Sequence, residues 1–277
     1  MARYIVICSY AVSWKRNYKD ERCFDCEENI NKLVYKKETK TEGDNMTRVY
    51  HGSDHVIQYP QYLGGKNDND YGNGFYTTEY EDRARSWAGL NGTPENSIVN
   101  VYDLNLDELQ ILDLNERGVL AWIAEVVANR GTSDENATIV GKRLVELYKP
   151  DTTKADIIKG YRADDSYTQV IEAFLLNQIN LYEVERLFYK GSLGNQIFLK
   201  SEKAFEKVKW LEAYSVALTQ EDKDADLYAR REVSKFLSER MKAILLDGFQ
   251  PPGITARYAI QHNLVYQGNG GYEHAGI

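Results

Sequence analysis

Aromatic and polar side chains that suit the binding of a flat ring are concentrated between residues 47 and 80. Six tyrosines, at positions 50, 59, 62, 71, 76 and 80, fall in this segment of a 277-residue chain that has 21 tyrosines in all. Tyrosine rings stack on flat ligands, while hydroxyl and imidazole groups, such as that of His51, hold a ligand's polar edges. An alternative stays open: a hairpin turning at Asn73-Gly74, with the tyrosines on its solvent face and His51 as a hydrogen-bonded core residue.

Sequence motifs of several common enzyme classes are absent from the chain. It has no GxxxxGK[ST] loop, no HExxH and no GxSxG, which argues against P-loop nucleotide hydrolysis, zincin-type proteolysis and the serine-hydrolase elbow. Gly72-Asn73-Gly74 enters a predicted strand instead of opening a helix, so it is not a dinucleotide fingerprint. The histidines, at 51, 55, 262 and 274, do not have the spacing of metal ligands, and we predict no metal site.

The first 45 residues differ from the rest of the chain and hold all three cysteines, Cys8, Cys23 and Cys26. Cys23 and Cys26 have the spacing of half a zinc site, but no second half follows, so we interpret them as reduced surface thiols. Because Met46 follows a charged, coil-like stretch, residues 1–45 are expected to be an appended segment or an upstream extension of doubtful status. We therefore predict a main domain over residues 46–217 and a C-terminal helix and tail over residues 218–277, packed on that domain.

The charge and hydropathy of the chain indicate a protein of the cytoplasm. With 34 Lys and Arg against 42 Asp and Glu, the net charge of −8 disfavours unspecific binding to duplex nucleic acid. The apolar run over residues 4–12 is too short for a membrane helix, and no cleavage site of a signal peptide follows it. We expect no membrane partner.

Short strands and capped helices are predicted from residue 47 onward. Apolar residues recur at helical spacing over residues 119–127, before Gly131 as a C-terminal cap, and over residues 224–246. Capping boxes are predicted at Thr78 with Glu81 and at Thr132 with Glu135. Further predicted elements are strands over residues 48–51, 74–78, 97–104, 109–112, 156–161, 196–199 and 210–217, and helices beginning near Ser166 and Ser201.

Several blocks, in order, resemble a known family. They are YHGS (50–53), DYGNGFYTT (70–78), Ala84 with Trp87-Ala88, NRG (129–131), GYRADDSY (160–167), and LGNQIFLKS (193–201) followed by KAF (203–205). Together they are similar to a bacterial domain family of unassigned function in the ADP-ribosyltransferase superfamily, on its His-Tyr-Glu side with diphtheria toxin and poly-ADP-ribose polymerase. The resemblance covers roughly residues 47–217. It implies an α+β fold, an ADP-ribosyltransferase-like split β-sandwich core with peripheral helices.

The resemblance also implies roles for individual residues around NAD as substrate. His51 would bond ribose hydroxyls, Tyr76 would stack on the nicotinamide with Tyr50 and Tyr71 as supports, and residues 54–71 would form a flap. Gly52 and Ser53 would offer donors to the carboxamide, and the nearest cations for the pyrophosphate would be Lys66, Arg83 and Arg162, each of which has a surface ion pair as its alternative. The implied NAD-binding residues are Tyr50, Gly52, Ser53, Lys66, Gly74, Arg83, Arg162 and Asp164, and the implied catalytic residues are His51, Tyr76 and Gln196.

The chain departs from the family pattern at the catalytic glutamate, where it has Asn195-Gln196. An amide can hold the ribose hydroxyl but supplies no charge to the oxocarbenium-like transition state. Three interpretations stay open: Gln196 suffices with a good nucleophile, an acid such as Asp164, Asp165 or Glu202 supplies the charge, or catalysis is lost. For Asp164 and Asp165, capping of the following helix is the alternative.

The expected function is that of an NAD-dependent mono-ADP-ribosyltransferase acting on a cellular macromolecule, protein or nucleic acid. Small cytoplasmic members of the superfamily are commonly toxins held in check by a neutralising protein. The resemblance therefore implies a toxin or effector of a bacterial toxin-antitoxin or anti-phage system, with an antitoxin as partner. The alternatives are a catalytically impaired module that binds NAD, ADP-ribose or a protein, and an NAD glycohydrolase.

Overall fold

The computed structural model describes residues 45–91, 96–163, 165–190, 194–217, 220–269 and 271–275. The expected segment before residue 45, with its cysteines, and Asp164 lie outside these residues. Within them the fold is α+β, and residues 45–277 form one compact unit. None of the described helices is long and apolar enough to cross a membrane.

The strands and helices are numbered here in chain order. The strands are β1 (Met46–Ser53), β2 (Phe75–Thr77), β3 (Ile98–Asn105), β4 (Ile111–Asp113), β5 (Ile157–Tyr161), β6 (Asn195–Leu199), β7 (Val208–Ser215), β8 (Leu264–Gly268) and β9 (Gly271–His274). The helices are α1 (Glu81–Asn91), α2 (Val119–Arg130), α3 (Glu135–Tyr148), α4 (Asp165–Leu175), α5 (Leu181–Lys190), α6 (Glu202–Glu206), α7 (Gln220–Asp247) and α8 (Ala256–His262), with a 3-10 turn at Leu114–Arg117.

Two sheets face each other in the middle of the fold. The first is antiparallel with the order β1-β3-β7, and the second has the order β2-β6-β5-β4, in which only β4 and β5 run parallel. Because side chains alternate along a strand, each sheet has two different faces. The facing sides enclose an apolar core of Val49, Phe75, Tyr102, Leu104, Ile157, Ile197 and Leu199.

Helices cover the outer faces of both sheets. Ala84 and Ala88 of α1 pack on Val99 and Val101 of the first sheet. The outer face of the second sheet, with Phe198, packs on α2, α4 and α5 in the largest buried cluster. The protein therefore has a helix layer, two sheet layers and a second helix layer.

The C-terminal residues pack on the second helix layer through specific hydrogen bonds. The hydroxyl of Tyr148 donates to the carbonyl of Ala259 at 2.6 Å and accepts from the amide of Leu264 at 3.0 Å. The hydroxyl of Tyr272 accepts from the amide of Leu120 at 3.1 Å. Helix α8 and the β8–β9 hairpin were not among the predicted elements, because the Gly- and Pro-interrupted sequence after Gly248 has no clear periodicity.

Both predicted capping boxes are wrong in detail. Helix α1 begins at Glu81, and the hydroxyl of Thr78 donates to the carbonyl of Asn195 at 3.0 Å instead of capping the helix. Helix α3 is capped by Asp134, whose side chain accepts from the amide of Ala137 at 2.9 Å. The Thr78 oxygen accepts from the amide of Tyr80 at 3.2 Å, before the helix begins, and at α3 a carboxylate nearer the helix takes the capping position.

Candidate functional site

His51 lies half-buried between the two sheets, with its ring against Phe75 at a centroid distance of 4.6 Å. Its Nδ1 lies 2.6 Å from the carbonyl oxygen of Tyr76. Because a carbonyl only accepts, Nδ1 must carry the proton, which leaves Nε2 as an acceptor. Burial lowers the pKa of the imidazole from 6.5 to about 4. At neutral pH His51 is thus an uncharged acceptor whose orientation is set by the next sheet.

Tyr76 is held by its hydroxyl within the glycine-rich turn. The hydroxyl donates to the carbonyl of Gly72 at 2.8 Å and accepts from the amide of Tyr71 at 2.9 Å. The ring contacts Phe198 at a centroid distance of 4.7 Å and is half-buried. Burial also raises the pKa of Tyr76 far above its ordinary value, so the phenol stays neutral. Because its hydroxyl is engaged, Tyr76 can offer a ligand only the exposed part of its ring, which is held in a fixed position.

The backbones of β1 and β2 are joined where the two sheets meet. The amide of Tyr50 donates to the carbonyl of Thr78 at 2.8 Å, and the amide of Thr78 donates to the carbonyl of Tyr50 at 2.9 Å. The side chain of Tyr50 packs with the α1 cluster, on the face of β1 opposite to His51. Tyr50 thus positions His51 through its backbone, and its ring lies away from the imidazole.

Gly52 and Gly74 both stand where a backbone passes very close. A Cβ at Gly52 would lie 2.0 Å from the carbonyl oxygen of Ala84 in α1, and one at Gly74 would lie 2.4 Å from the carbonyl oxygen of Leu199. Their identity is thus explained by packing. The predicted contacts of both residues with NAD remain predictions.

Ser53 is tied to a buried asparagine that the sequence analysis missed. Its hydroxyl donates to the carbonyl of His55 at 2.6 Å and accepts from Nδ2 of Asn100 at 2.9 Å. Asn100 is fully buried, and its Oδ1 accepts from the amide of Ile57 at 2.7 Å. Asn100 thereby fixes the start of the predicted flap, residues 54–71, of which residues 54–69 form a largely exposed loop and Asp70 and Tyr71 are buried. To bind a carboxamide, Ser53 would have to release His55.

Gln196 lies inside the protein and is held by an acid. Its side chain is 2% exposed, and its Nε2 donates to Oδ2 of Asp70 at 2.9 Å and to the carbonyl of Tyr161 at 3.2 Å. In this arrangement its amide nitrogen is not offered to a ligand. The nitrogen is engaged by interior acceptors, so a Gln196 amide that holds a ribose hydroxyl, as predicted, would have to accept through Oε1.

Asp70 is the centre of this buried network. It is 4% exposed, its Oδ1 accepts from Arg130 at 2.9 Å, and its Oδ2 also accepts from the amide of Ala163 at 2.8 Å. Burial raises the pKa of Asp70, while the hydrogen bonds from Arg130 and Gln196 oppose the shift. Asp70 is therefore an acid next to Gln196 that was not among the residues proposed from sequence.

A second set of bonds continues the network to Trp122. The hydroxyl of Tyr71 donates to the carbonyl of Tyr161 at 2.6 Å, and the indole of Trp122 donates to the Tyr71 hydroxyl at 3.0 Å. A Cβ at Gly160 would lie 2.4 Å from that hydroxyl. The glycine of the GYRADDSY block is thus required by the tyrosine of the DYGNGFYTT block.

The blocks that carry the family resemblance converge on this network. Asp70 accepts a hydrogen bond from each of Arg130, Ala163 and Gln196. These four residues come from different blocks that are far apart in the chain. Asp70 and Arg130 were not predicted as site residues. Only their opposite charges pointed to them, and charge alone does not identify a pair across 60 residues.

The cations predicted for the pyrophosphate lie in two places. Arg162 stacks over the ring of Trp87 at 5.0 Å, and Arg83 lies one helical turn before Trp87 on α1, near Gly194. Lys66 lies in the exposed loop after β1. Both arginines therefore lie near Trp87 of α1, where Arg83 has an ion pair with Asp82 at 3.5 Å, and Lys66 lies in a different segment.

Within the described residues, no group of three or more histidine, cysteine or acidic side chains is arranged to hold a metal ion.

Comparisons with known proteins find one family. None of the curated proteins and none of the solved structures compared with the chain matches it. A family model described as "Protein of unknown function (DUF3990)" matches residues 47–210. This match runs from β1 into β7 and covers more than half of the chain, so the protein belongs to the DUF3990 family.

Proposed function

We propose that this protein is an NAD-dependent mono-ADP-ribosyltransferase and that its two facing sheets are an ADP-ribosyltransferase-like split β-sandwich. The observation that carries the proposal is the hydrogen bond of 2.6 Å between His51 Nδ1 and the Tyr76 carbonyl. It joins two residues for which the family resemblance implies catalytic roles. It also leaves Nε2 of His51 as an uncharged hydrogen-bond acceptor on the other side of the ring. A ribose hydroxyl is a donor suited to that acceptor.

The remaining groups fit a nicotinamide dinucleotide as substrate. The fixed ring of Tyr76 offers a stacking surface to the nicotinamide. Arg162 and Arg83, both near Trp87 of α1, are the cations proposed for the pyrophosphate. In the reaction the electrons of the bond between C1′ and the nicotinamide nitrogen leave with neutral nicotinamide. A lone pair of the acceptor then forms the new bond to C1′, and the acceptor releases a proton.

The missing glutamate is compensated, in this proposal, by Asp70. Its carboxylate lies 2.9 Å from the Gln196 amide nitrogen, so the negative charge that the family pattern places at position 196 lies on the neighbouring residue instead. Because Asp70 is also paired with Arg130, its field is weaker than that of a free carboxylate. We expect slow turnover.

Purified protein with labelled NAD tests the proposal. We expect release of nicotinamide and transfer of label to a macromolecule in lysate, both lost in His51→Ala and His51→Gln. His55→Ala is the matched control, because His55 is an exposed histidine four residues away. Circular dichroism checks that the variants fold. Turnover that persists in both His51 variants would show that the reaction takes place elsewhere.

A binding role without catalysis is the second candidate, and the burial of Gln196 favours it. The amide carries no charge and is engaged by Asp70. In that case calorimetry would detect NAD or ADP-ribose binding that requires His51, while no nicotinamide is released. Release of nicotinamide without labelled macromolecule would instead identify an NAD glycohydrolase.

The biological role that goes with a transferase is that of a toxin or effector controlled by a neutralising protein. We expect growth arrest when the chain is expressed in bacteria, and none with the His51→Ala variant at equal protein level. Relief by co-expression of a neighbouring open reading frame would identify the antitoxin. Equal arrest by wild type and His51→Ala would separate toxicity from the proposed chemistry.

A further inference from the structure

A cavity of about 470 Å³ lies beside the network but uses residues that have no role in the proposed NAD site. It is bounded by the 3-10 turn after β4, the first turn of α2, the end of β5, helix α5 and the β8–β9 hairpin. Its polar and aromatic lining residues are Asn115, Trp122, Tyr161, Glu185, Tyr266 and Asn269. Its volume suits one amino-acid side chain or a small ligand.

The walls of the cavity are held in place by packing. The hairpin closes on Gly118, where a Cβ would lie 2.4 Å from the hydroxyl of Tyr272 and 2.7 Å from the ring of Tyr266. On the opposite side, the rings of Trp122 and Tyr161 meet edge to face at 6.1 Å. The cavity is therefore a preformed site whose partly exposed aromatic sides are Tyr161 and Tyr266, since Trp122 is only 1% exposed.

The charge of the cavity is negative and unbalanced. Among the described residues that line it, Glu185 alone carries a formal charge. In the part of the chain that the structure describes, Glu185 has neither an ion pair nor a hydrogen bond, and burial raises the pKa of its carboxyl. A partly desolvated carboxylate without a partner is unfavourable, and a bound cation would relieve that cost.

Acceptor atoms of amides add to the carboxylate. The Nδ2 of Asn115 donates to Oδ1 of Asn195 at 3.4 Å, and its Oδ1 is buried without a hydrogen-bond partner among the described residues. The amide of Asn269 lines the same space. The site thus combines a carboxylate, amide groups and the faces and edges of aromatic rings.

We propose that this cavity binds a guanidinium group, the side chain of an arginine. A guanidinium is flat, permanently charged and rich in donors, so it both stacks on aromatic rings and bonds to a carboxylate and amide oxygens. A lysine ammonium is more strongly hydrated and less suited to stacking, so the aromatic walls favour arginine over lysine.

The location of the cavity gives this arginine a role, which rests on the proposed transferase function. The contact between Asn115 and Asn195 places the cavity next to the first residue of β6, immediately before Gln196. If the protein is a transferase, the bound arginine is a side chain of the molecule that receives ADP-ribose. The acceptor is then a protein.

Binding without NAD tests the inference independently of catalysis. Titration of Nα-acetyl-arginine amide, followed by heteronuclear NMR, is expected to shift signals of the Trp122 indole and Tyr266, with weaker effects from Nα-acetyl-lysine amide. Loss of one charge-assisted hydrogen bond in Glu185→Gln is expected to weaken arginine binding about tenfold or more. Glu116→Gln is the matched control, since it removes an exposed carboxylate from the adjoining turn and should change nothing.

The outcomes separate this inference from the proposed function. No arginine binding by wild type at millimolar ligand, equal binding by Glu185→Gln, or equal binding of the lysine probe would overturn the guanidinium site, whatever the enzyme assay gives. Arginine binding that depends on Glu185 supports the site even if NAD turnover is absent, in which case the transferase function fails and the site remains.

Discussion

The Nε2 atom of Gln196 lies 2.9 Å from Oδ2 of Asp70, inside the second sheet's helix-facing core. Gln196, at the position where the resemblance to ADP-ribosyltransferases implies a glutamate, is thus bonded to a buried carboxylate. A glutamate at position 196 would bring two carboxylates together there. This relationship explains why an amide, which donates, is compatible with the network that surrounds it.

Replacing Gln196 by glutamate should destabilise this protein. In Gln196→Glu the two neighbouring carboxyls cannot both ionise, so the folded state retains a proton that the unfolded chain releases. Stability should then fall as pH rises from about 5 to 8, more steeply than for wild type. Urea denaturation at both pH values measures the effect. The double variant Asp70→Asn/Gln196→Glu removes the second carboxylate, so its pH dependence should return to that of wild type even though the Ala163 amide and the Tyr161 carbonyl lose matching partners. A pH dependence as steep as that of Gln196→Glu would contradict the contact.

Removing Arg130 should leave Asp70 buried without its cation. Arg130→Met keeps much of the side-chain volume but breaks the contact with Oδ1 of Asp70, and the expected loss is about 3–5 kcal/mol of unfolding free energy. Arg143→Met is the control, because Arg143 forms an exposed ion pair with Glu146 on α3. If the two variants lose equal stability, the Asp70–Arg130 pair is not the centre of the network.

The close approach of Gly160 and Tyr71 predicts a non-additive pair of substitutions. Gly160→Ala forces its Cβ against the Tyr71 hydroxyl and should cost about 1–3 kcal/mol by overpacking. Tyr71→Phe removes that hydroxyl, so the double variant should be more stable than the sum of the two single losses predicts. Thermal or chemical unfolding of the variants measures the coupling. Strict additivity would mean that the hydroxyl is not what excludes a side chain at position 160.

The imidazole of His51 should titrate at unusually low pH. Because its pKa is lowered from 6.5 to about 4, the unfolded chain binds a proton between these values that the folded protein does not. The stability contributed by this residue is therefore complete above pH 6.5 and is lost as pH falls toward 4. Histidine NMR signals, assigned with His51→Gln, give the pKa and the tautomer. A His51 pKa near 6.5, or a proton on Nε2, would contradict the buried bond to Tyr76.

Local pattern was a good guide to α2, although residues 119–127 are all buried. The apolar spacing of residues 119–127 and the cap at Gly131 predicted α2 closely. Helix α5 is absent from the predicted elements, although Leu181, Val184, Leu187 and Phe188 are buried at helical spacing. The short strand β2 was recognised only because its glycine turn is distinctive, since three residues carry little periodicity of their own.

The candidate site was predictable in part. His51 and Tyr76 were identified by resemblance, and the structure joins them through one backbone hydrogen bond. Asp70, Arg130 and Asn100 were missed because a buried polar residue is recognised by its partners, and those partners are distant in sequence. The same limit applies to Thr78, which bonds to Asn195 across 117 residues instead of capping its own helix.

The sequence by itself determined the ordered blocks, the unusual amide at position 196 and the types of residue that can bind a dinucleotide. Only the tertiary structure decided which of these residues meet, because strand alternation and sheet pairing choose the face on which each side chain lies. That choice put the ring of Tyr50 on the outer face and His51 on the inner one, and it turned Gln196 toward Asp70. The cavity around Glu185 likewise exists only where segments distant in sequence close around it.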